Sequence, residues 1–312
     1  MKQITDQILM IRPASFRMNE ETAVNNFFQK STKDLHATTN KKAQEEFDAF
    51  VEKLRSAGVE VHVVEDDEKL NTPDALFPNN WISFHENGNV ALYPMFAENR
   101  RRERREDVFL ALEEKGFQFN QIYDYSQAED DGVFLEGTGS LILDRTNRKA
   151  YCALSPRADE DLLIEFCEDF EYMPVIFTAN QDVDGKRLPI YHTNVMMCVG
   201  EDFAVICSAC IDDKKERKNV LNHLKNDGKA IIDITEAQMQ RFAGNMLQVR
   251  SSTSKQTFLV MSKTAHNSLT TKQINEIEKF TTILSADLNC IETNGGGSAR
   301  CMMAEVFTPK IK

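Results

Sequence analysis

Long apolar runs are missing from this chain. None of its 312 residues belongs to a hydrophobic stretch approaching the ~18 residues of a membrane-crossing helix. The opening Met1-Lys2-Gln3-Ile4-Thr5-Asp6 has neither the basic segment nor the apolar core of a secretory leader. Positive charge is scarce. Lys and Arg total 37 against 49 Asp and Glu, a net charge of −12, and such a field repels nucleic-acid phosphates and anionic lipid surfaces. With 13 Gly and 8 Pro, collagen-like repeats and low complexity are excluded. The seven cysteines are odd in number and scattered, unlike a disulfide framework. A reduced, soluble, cytoplasmic protein without nucleic-acid or membrane partners is expected. Assembly into a homo-oligomer is left open.

What the chain does have is an internal repeat. Five short segments begin on a small or amide residue: Asn80–Phe84, Gly139–Leu143, Asn194–Cys198, Asn245–Val249 and Ser298–Met302. Their first residues lie about 50–60 positions apart, the kind of regular period that marks a repeat architecture. The first four each lead through turn residues to a second apolar segment, Val90–Tyr93, Ala150–Ala153, Phe203–Ile206 and Phe258–Met261, which reads as a hairpin. Helix-period residues follow in each module: Val108, Leu110, Ala111 and Leu112; Leu162, Leu163, Phe166 and Phe170; Val220, Leu221 and Leu224; Ile274, Ile277 and Phe280. Near the start, Phe47, Phe50, Val51 and Leu54 share a helical face ended by Gly58, and Val59–Val64 alternates as a strand. Hairpin, helix and strand, repeated about five times, predict an α/β ring that forms one domain over 1–312. Its units bury their faces on their neighbours, and the strand-leading residues converge at the centre.

Several local features carry chemistry. Thr293-Asn294-Gly295-Gly296-Gly297-Ser298-Ala299-Arg300-Cys301 lacks the Gly-Lys-Ser/Thr of a phosphate loop. It reads either as a turn before a buried cysteine or as a nucleophile approached by backbone N–H donors. His192, at a strand start, suits a general base, and a structural histidine fits as well. Glu136, between an apolar pair and Gly137, is odd for a solvated face and could orient His192 in a Cys-His-Glu set. The adjacent glycines complete no dinucleotide fingerprint, since residue 142 is Ile. Cys207-Ser208-Ala209-Cys210 continues an apolar strand, on which positions i and i+3 face opposite ways, and no further ligands at zinc spacing accompany it. Packing cysteines are expected there. The basic run Arg100–Arg105 opposes the dipole of a following helix; it reads as a solvated ion-pair network or as a fork for a substrate carboxylate.

Taken together, Phe77-Pro78-Asn79-Asn80-Trp81, Asn99-Arg100-Arg101, Leu135-Glu136-Gly137, His192-Thr193-Asn194-Val195 and Gly295–Met302 resemble the guanidine-modifying enzyme superfamily. That group includes amidinotransferases, arginine deiminases, dimethylarginine dimethylaminohydrolases and bacterial citrulline-utilising hydrolases. The resemblance implies a five-bladed α/β propeller, the pentein fold, of ββαβ-type modules. It implies Cys301 as nucleophile, His192 as general acid/base and Glu136 as the carboxylate beside it. It further implies that Arg157 grips the substrate carboxylate, assisted by Arg100 or Arg101, with Asn80, Asn194, Gly297 and Ser298 also at the substrate. Arginine deiminases carry aspartates where this chain has Asn80 and Asn194. Amides match the C=O and NH₂ of a neutral ureido group, whereas a carboxylate pair suits a cation. Hydrolysis of citrulline to ornithine, CO₂ and ammonia is therefore the favoured expectation, with no metal or organic cofactor. An amidinotransferase, an arginine or dimethylarginine hydrolase and a non-catalytic amino-acid-binding ring are the alternatives.

Overall fold

Strand β1 (Gln7–Arg12) pairs in parallel with β2 (Glu60–Glu65) across the long helix His36–Ser56. These elements come from a computed structural model that describes residues 1–30 and 35–310; positions 31–34 and 311–312 of the expected domain lie outside the described residues. The helix buries Phe47, Phe50, Val51 and Leu54 on one face. Each such side chain removed from water contributes roughly 1.5–3 kcal/mol. Gly58, at φ +83°, turns the chain from this helix into β2.

Three modules then repeat one pattern, an antiparallel hairpin whose second strand pairs in parallel with a third after a helical crossover. They are β3 (Ile82–Phe84), β4 (Val90–Leu92) and β5 (Ile122–Asp124); β6 (Leu141–Asp144), β7 (Lys149–Leu154) and β8 (Met173–Thr178); and, after the ribbon β9 (Asn180–Val183) and β10 (Lys186–Pro189), β11 (Met197–Val199), β12 (Phe203–Ile206) and β13 (Ala230–Asp233). A fourth is β14 (Leu247–Arg250), β15 (Thr257–Ser262) and β16 (Thr282–Ala286). Finally β17 (Ala304–Glu305) returns antiparallel to β1, so the two ends of the chain complete one sheet. Two of the crossover helices begin where an Asp side chain accepts from their first free N–H groups: Asp159 from Leu162 and Asp213 from Lys215 and Glu216. In the helix Glu106–Glu113 only Val108 and Leu112 are buried; Leu110, expected on the apolar face, is exposed.

The sheets bury their faces on one another. Ile8 and Met10 share a core with Leu247, Val249, Phe258 and Val260, and Leu9 and Ile11 share one with Ile82, Phe84 and Val90. Ala91 and Tyr93 pack with Leu141, Leu143 and Ala150, while Tyr151, Ala153, Val175 and Phe177 join Val205, Leu259 and Met261. Each sheet thus shares a core with the next, and the last with the first. Among the described residues no helix is long and apolar enough to cross a membrane.

One expectation about strand starts is corrected. The residues that lead the repeated segments are not strand but short helical turns: Pro78–Asn80, Gly137–Ser140, Thr193–Val195 and Ala299–Met302. Their N–H groups bond locally, Trp81 N–H to Pro78 O and Met196 N–H to Thr193 O, so the backbone has none left for a ladder until one or two residues later. The same correction applies to Cys207–Cys210, described below.

Candidate functional site

The helical turns converge, and close approach dictates their glycines. Gly137 has φ +43°, and a Cβ there would lie 2.4 Å from Asn79 O. A Cβ on Gly139 would lie 2.4 Å from Asn80 Nδ2 and 2.9 Å from His192 Nδ1. Only glycine lets these turns touch.

Glu136, fully buried, precedes the Gly137 turn. Its Oε2 lies 2.7 Å from His192 Nε2 and accepts from Arg157 at 3.3 Å, while Oε1 accepts from Phe96 N–H at 3.0 Å. Burial pushes this carboxyl up, but Arg157, His192 and Arg100 outweigh it and hold the group well below the usual carboxylate range. Burial pushes His192 down, against the pull of Glu136, so the imidazole rests neutral. An ionised Glu136 facing Nε2 requires the ring proton there, which leaves Nδ1 as the acceptor. Thr193 braces the turn that follows the histidine by donating to Ser140 O at 2.6 Å and accepting from Ala153 N–H at 2.9 Å.

Cys301 stands in the turn Ala299–Met302 and is 3% exposed. Its Sγ receives Asn194 Nδ2 at 3.4 Å and Asn245 Nδ2 at 3.2 Å. Asn245 also donates to Asn194 O at 3.0 Å and accepts from Arg300 N–H at 3.0 Å, so one amide ties two turns to the sulfur. Residues before Cys301 are held rather than loose. The helix Asn289–Gly295 is capped by Glu46, which accepts from Cys290 and Ile291 N–H, and ends at Gly296 with φ +63°. Gly297 packs against Phe77 too closely for a Cβ.

Cys301, His192, Asn80, Arg100, Arg157 and Gly297 line one cavity, together with Asp74 and Tyr191. Its free volume is about 10 Å³, room for a single water. A strap formed by residues 19–30 closes it. Arg157 donates through Nε to Asn25 Oδ1 and through a terminal nitrogen to Thr22 O, each at 2.9 Å; Asn26 and Gln29 donate to Gly295 O. Arg157 also lies over the Tyr191 ring, 5.0 Å from its centroid. A much larger cavity of about 630 Å³ on the strap's outer side, lined by Phe27, Phe28 and Phe242 among others, includes none of the expected catalytic residues.

Three expected substrate contacts do not line this cavity: Asn194, whose amide lies behind it on Cys301 Sγ, Arg101 and Ser298. Arg101 turns outward, with Nε 3.4 Å from Glu129 Oε2 and 3.2 Å from Met95 O, because Arg104 and Glu129 form an ion pair on that side of the turn. Ser298 is buried and donates to Glu292 Oε1 at 2.6 Å, which directs its hydroxyl to the helix behind the glycine loop. The basic run is largely an ion-pair network, with Arg105 on Asp66 and Asp107. Arg100 alone enters the cavity wall, paired through two nitrogens with Glu103 and donating to Asn80 Oδ1 at 2.9 Å.

Three participants escaped the sequence reading. Asn245 leads one of the repeated segments, so the period itself marked it. Asp74, in an unremarkable Thr-Pro-Asp turn, had no local signal; it is buried, accepts from Asn19 and Thr22 through Oδ2, and leaves Oδ1 without a partner. Asn25 reaches Arg157 across 132 positions, a contact that no local pattern encodes. Among the described residues no group of three or more His, Cys, Asp or Glu is placed to hold a metal ion.

A family model described as N,N dimethylarginine dimethylhydrolase, eukaryotic, matches residues 12–308. No curated protein matches the chain. Among solved structures, apo ArgZ, an arginine dihydrolase from cyanobacteria, superposes with TM-score 0.74 at 18% identity, over 98% of this chain and 41% of that one. The chain therefore spans about two fifths of the full-length ArgZ chain. The ArgZ N-terminal domain with substrate bound gives TM-score 0.73 at 18% identity, covering 98% and 99% of the two chains. A dimethylarginine dimethylaminohydrolase variant, as its adduct with S-methyl-L-thiocitrulline, gives 0.65 at 13%, covering 97% and 100%. At these identities the structures speak for the α/β fold, and the family model speaks for descent: the chain belongs to the N,N-dimethylarginine dimethylhydrolase family of guanidine-modifying enzymes, hydrolases of guanidino C–N bonds.

Proposed function

We propose that this chain is a cysteine-dependent hydrolase of the ureido or guanidino carbon of an arginine-sized amino acid, with citrulline as the preferred substrate. In this reading the five sheets are the blades of a five-bladed α/β propeller, and the convergent turns form its hub. The observation that carries it is the 2.7 Å contact between buried Glu136 and His192, which lines the same cavity as Cys301.

The bound amino acid displaces Asn25 from Arg157, whose guanidinium then takes the α-carboxylate in a two-nitrogen fork. The unpartnered Asp74 Oδ1 accepts the α-ammonium. The headgroup lies toward Asn80, Asn194 and Cys301, where amides supply both donor and acceptor to a neutral urea. Cys301 Sγ attacks the ureido carbon and its proton passes to His192 Nδ1. Collapse of the tetrahedral adduct breaks a C–N bond, and His192 returns the proton to the departing amine while Glu136 holds the imidazolium. Water, deprotonated by His192, attacks the thioester carbon; the C–S bond breaks and Cys301 regains a proton. For citrulline the products are ornithine and carbamate, which decomposes to CO₂ and ammonia. The strap 19–30 must open for entry, since a 10 Å³ cavity admits no amino acid.

A guanidino substrate is the second reading. Asp74 Oδ1 could serve a cation, and the similar structures include an arginine dihydrolase and a dimethylarginine dimethylaminohydrolase. Product analysis with citrulline, arginine and dimethylarginine, without added amine acceptor, separates the readings. Ornithine and ammonia from citrulline are expected. Turnover of dimethylarginine alone would overturn the citrulline assignment, and strict dependence on an amine acceptor would replace hydrolase with transferase.

A further inference from the structure

The Cys207-Ser208-Ala209-Cys210 segment leaves its strand at Ile206 and folds into a short helical turn, Ser208–Cys210. Positions i and i+3 of such a turn stack on one side, unlike those of a strand. The two sulfurs therefore meet, with Sγ–Sγ 2.9 Å, and Met239 Sδ lies 3.6 Å from Cys210 Sγ. The turn is pinned on both sides. Asp233 accepts from Ser208 N–H and from its hydroxyl, each at 3.0 Å; Cys207 N–H donates to Met196 O at 2.8 Å, and Cys210 N–H to Cys207 O at 3.2 Å. Both sulfurs are buried, yet Ala209 between them is exposed, so the pair lies directly beneath the surface.

We propose that Cys207 and Cys210 form a redox-active dithiol, a modification site distinct from the catalytic cavity, which closes to an intramolecular disulfide by exchange with a low-molecular-weight disulfide. Cys207 is the attacking sulfur. The thiol of Cys210 donates to it, and this hydrogen bond holds Cys207 below the usual thiol range while raising Cys210. The Cys207 thiolate attacks one sulfur of the oxidant, the oxidant's S–S bond breaks, and its other half leaves as a thiolate that takes up a proton. Cys210, losing its own proton, then attacks Cys207 Sγ and expels the second half as a thiol. Two cysteine thiols have been oxidised, and one small disulfide has been reduced to two thiols.

The site is tested on the full-length Cys301→Ala protein, which removes the hub nucleophile as a competing sulfur. The folded protein is exposed to glutathione disulfide, denatured in alkylating reagent, digested and weighed. The expected result is a loss of two hydrogens confined to the peptide that holds Cys207 and Cys210, reversed by dithiothreitol. In Cys301→Ala/Cys210→Ser the second step has no sulfur, and glutathione should stay on Cys207. Alkylation of both Cys207 and Cys210 after exposure, or a linkage that maps to any other pair, would overturn the assignment. Neither result bears on citrulline turnover, which the wild-type assay reads separately.

Discussion

The hub and the rim of this molecule obey different rules. At the rim, helices such as His36–Ser56 bury apolar stripes against a sheet and leave charge in water. At the hub, Glu136, Arg157, Arg100, Glu103 and Asp74 are all nearly inaccessible, and each charge is tolerable because the others face it. The rim is stabilised by area removed from water and tolerates exchange of one apolar group for another of similar volume. The hub is a set of mutual obligations in which removing one partner strands the rest. What looks like a costly core is the arrangement that fixes one imidazole and one sulfur.

The sharpest way to break this contrast is Glu136→Gln. It leaves Arg157 and Arg100 without their shared carboxylate and His192 without its orienting partner. Loss of one partner from a buried ionic set costs about 3–5 kcal/mol, and loss of acid/base orientation should lower kcat by about 10²–10⁴-fold. Urea melts and steady-state kinetics on the same preparation check both. A variant as stable and active as the parent would remove the distinction between hub and rim.

Two glycine substitutions sharpen it. Gly139→Ala drives a methyl against Asn80 and His192, so activity should fall at least tenfold while the outer helices stay folded by circular dichroism. Gly228→Ala meets open space, but its φ of +76° is unfavourable for alanine. It should cost about 1–2 kcal/mol of stability and leave kcat/KM unchanged. Equal kinetic effects from the two would contradict the account.

The smallest effect concerns a rim histidine. Burial pushes His62 down to about 4, and its Nε2 lies 2.8 Å from Gln7 Oε1. The unfolded chain binds this proton at about 6.5, so between these values unfolding takes it up. His62 thus contributes stability above pH 6.5 that is lost as the pH falls toward 4. In His62→Gln, stability plotted against pH over that window should slope less steeply by up to about one proton. An unchanged slope in a denaturation series would refute the assignment.

Much of the rim was written in the sequence, because helix and strand periods are local. Leu162, Leu163 and Phe166 are buried as their spacing requires, and the turn-led segments near Asn80, Asn194 and Asn245 do lead into strands. The hub was legible only in part. The regular interval pointed to Asn194 and the Ser298 loop, and the glycine-rich stretch to Cys301, but the 107 positions between Asn194 and Cys301 mean that their contact is a property of how the sheets pack together. Asp74 and Asn25 left no trace, since a buried carboxylate or amide differs from a surface one only in what folds over it. Cys207 and Cys210 are buried in the apolar core, as packing cysteines should be, but they do not face opposite ways, because the strand ends at Ile206, four residues before Cys210, where the chain turns toward Asp233.

The hub account comes down to one covalent bond on one sulfur. Enzyme mixed with citrulline, quenched in acid during turnover and analysed by mass spectrometry should carry a carbamoyl group on Cys301 that is absent from Cys301→Ala. An enzyme that turns citrulline over with no adduct at Cys301, or with the group on any of the other cysteines, would contradict it.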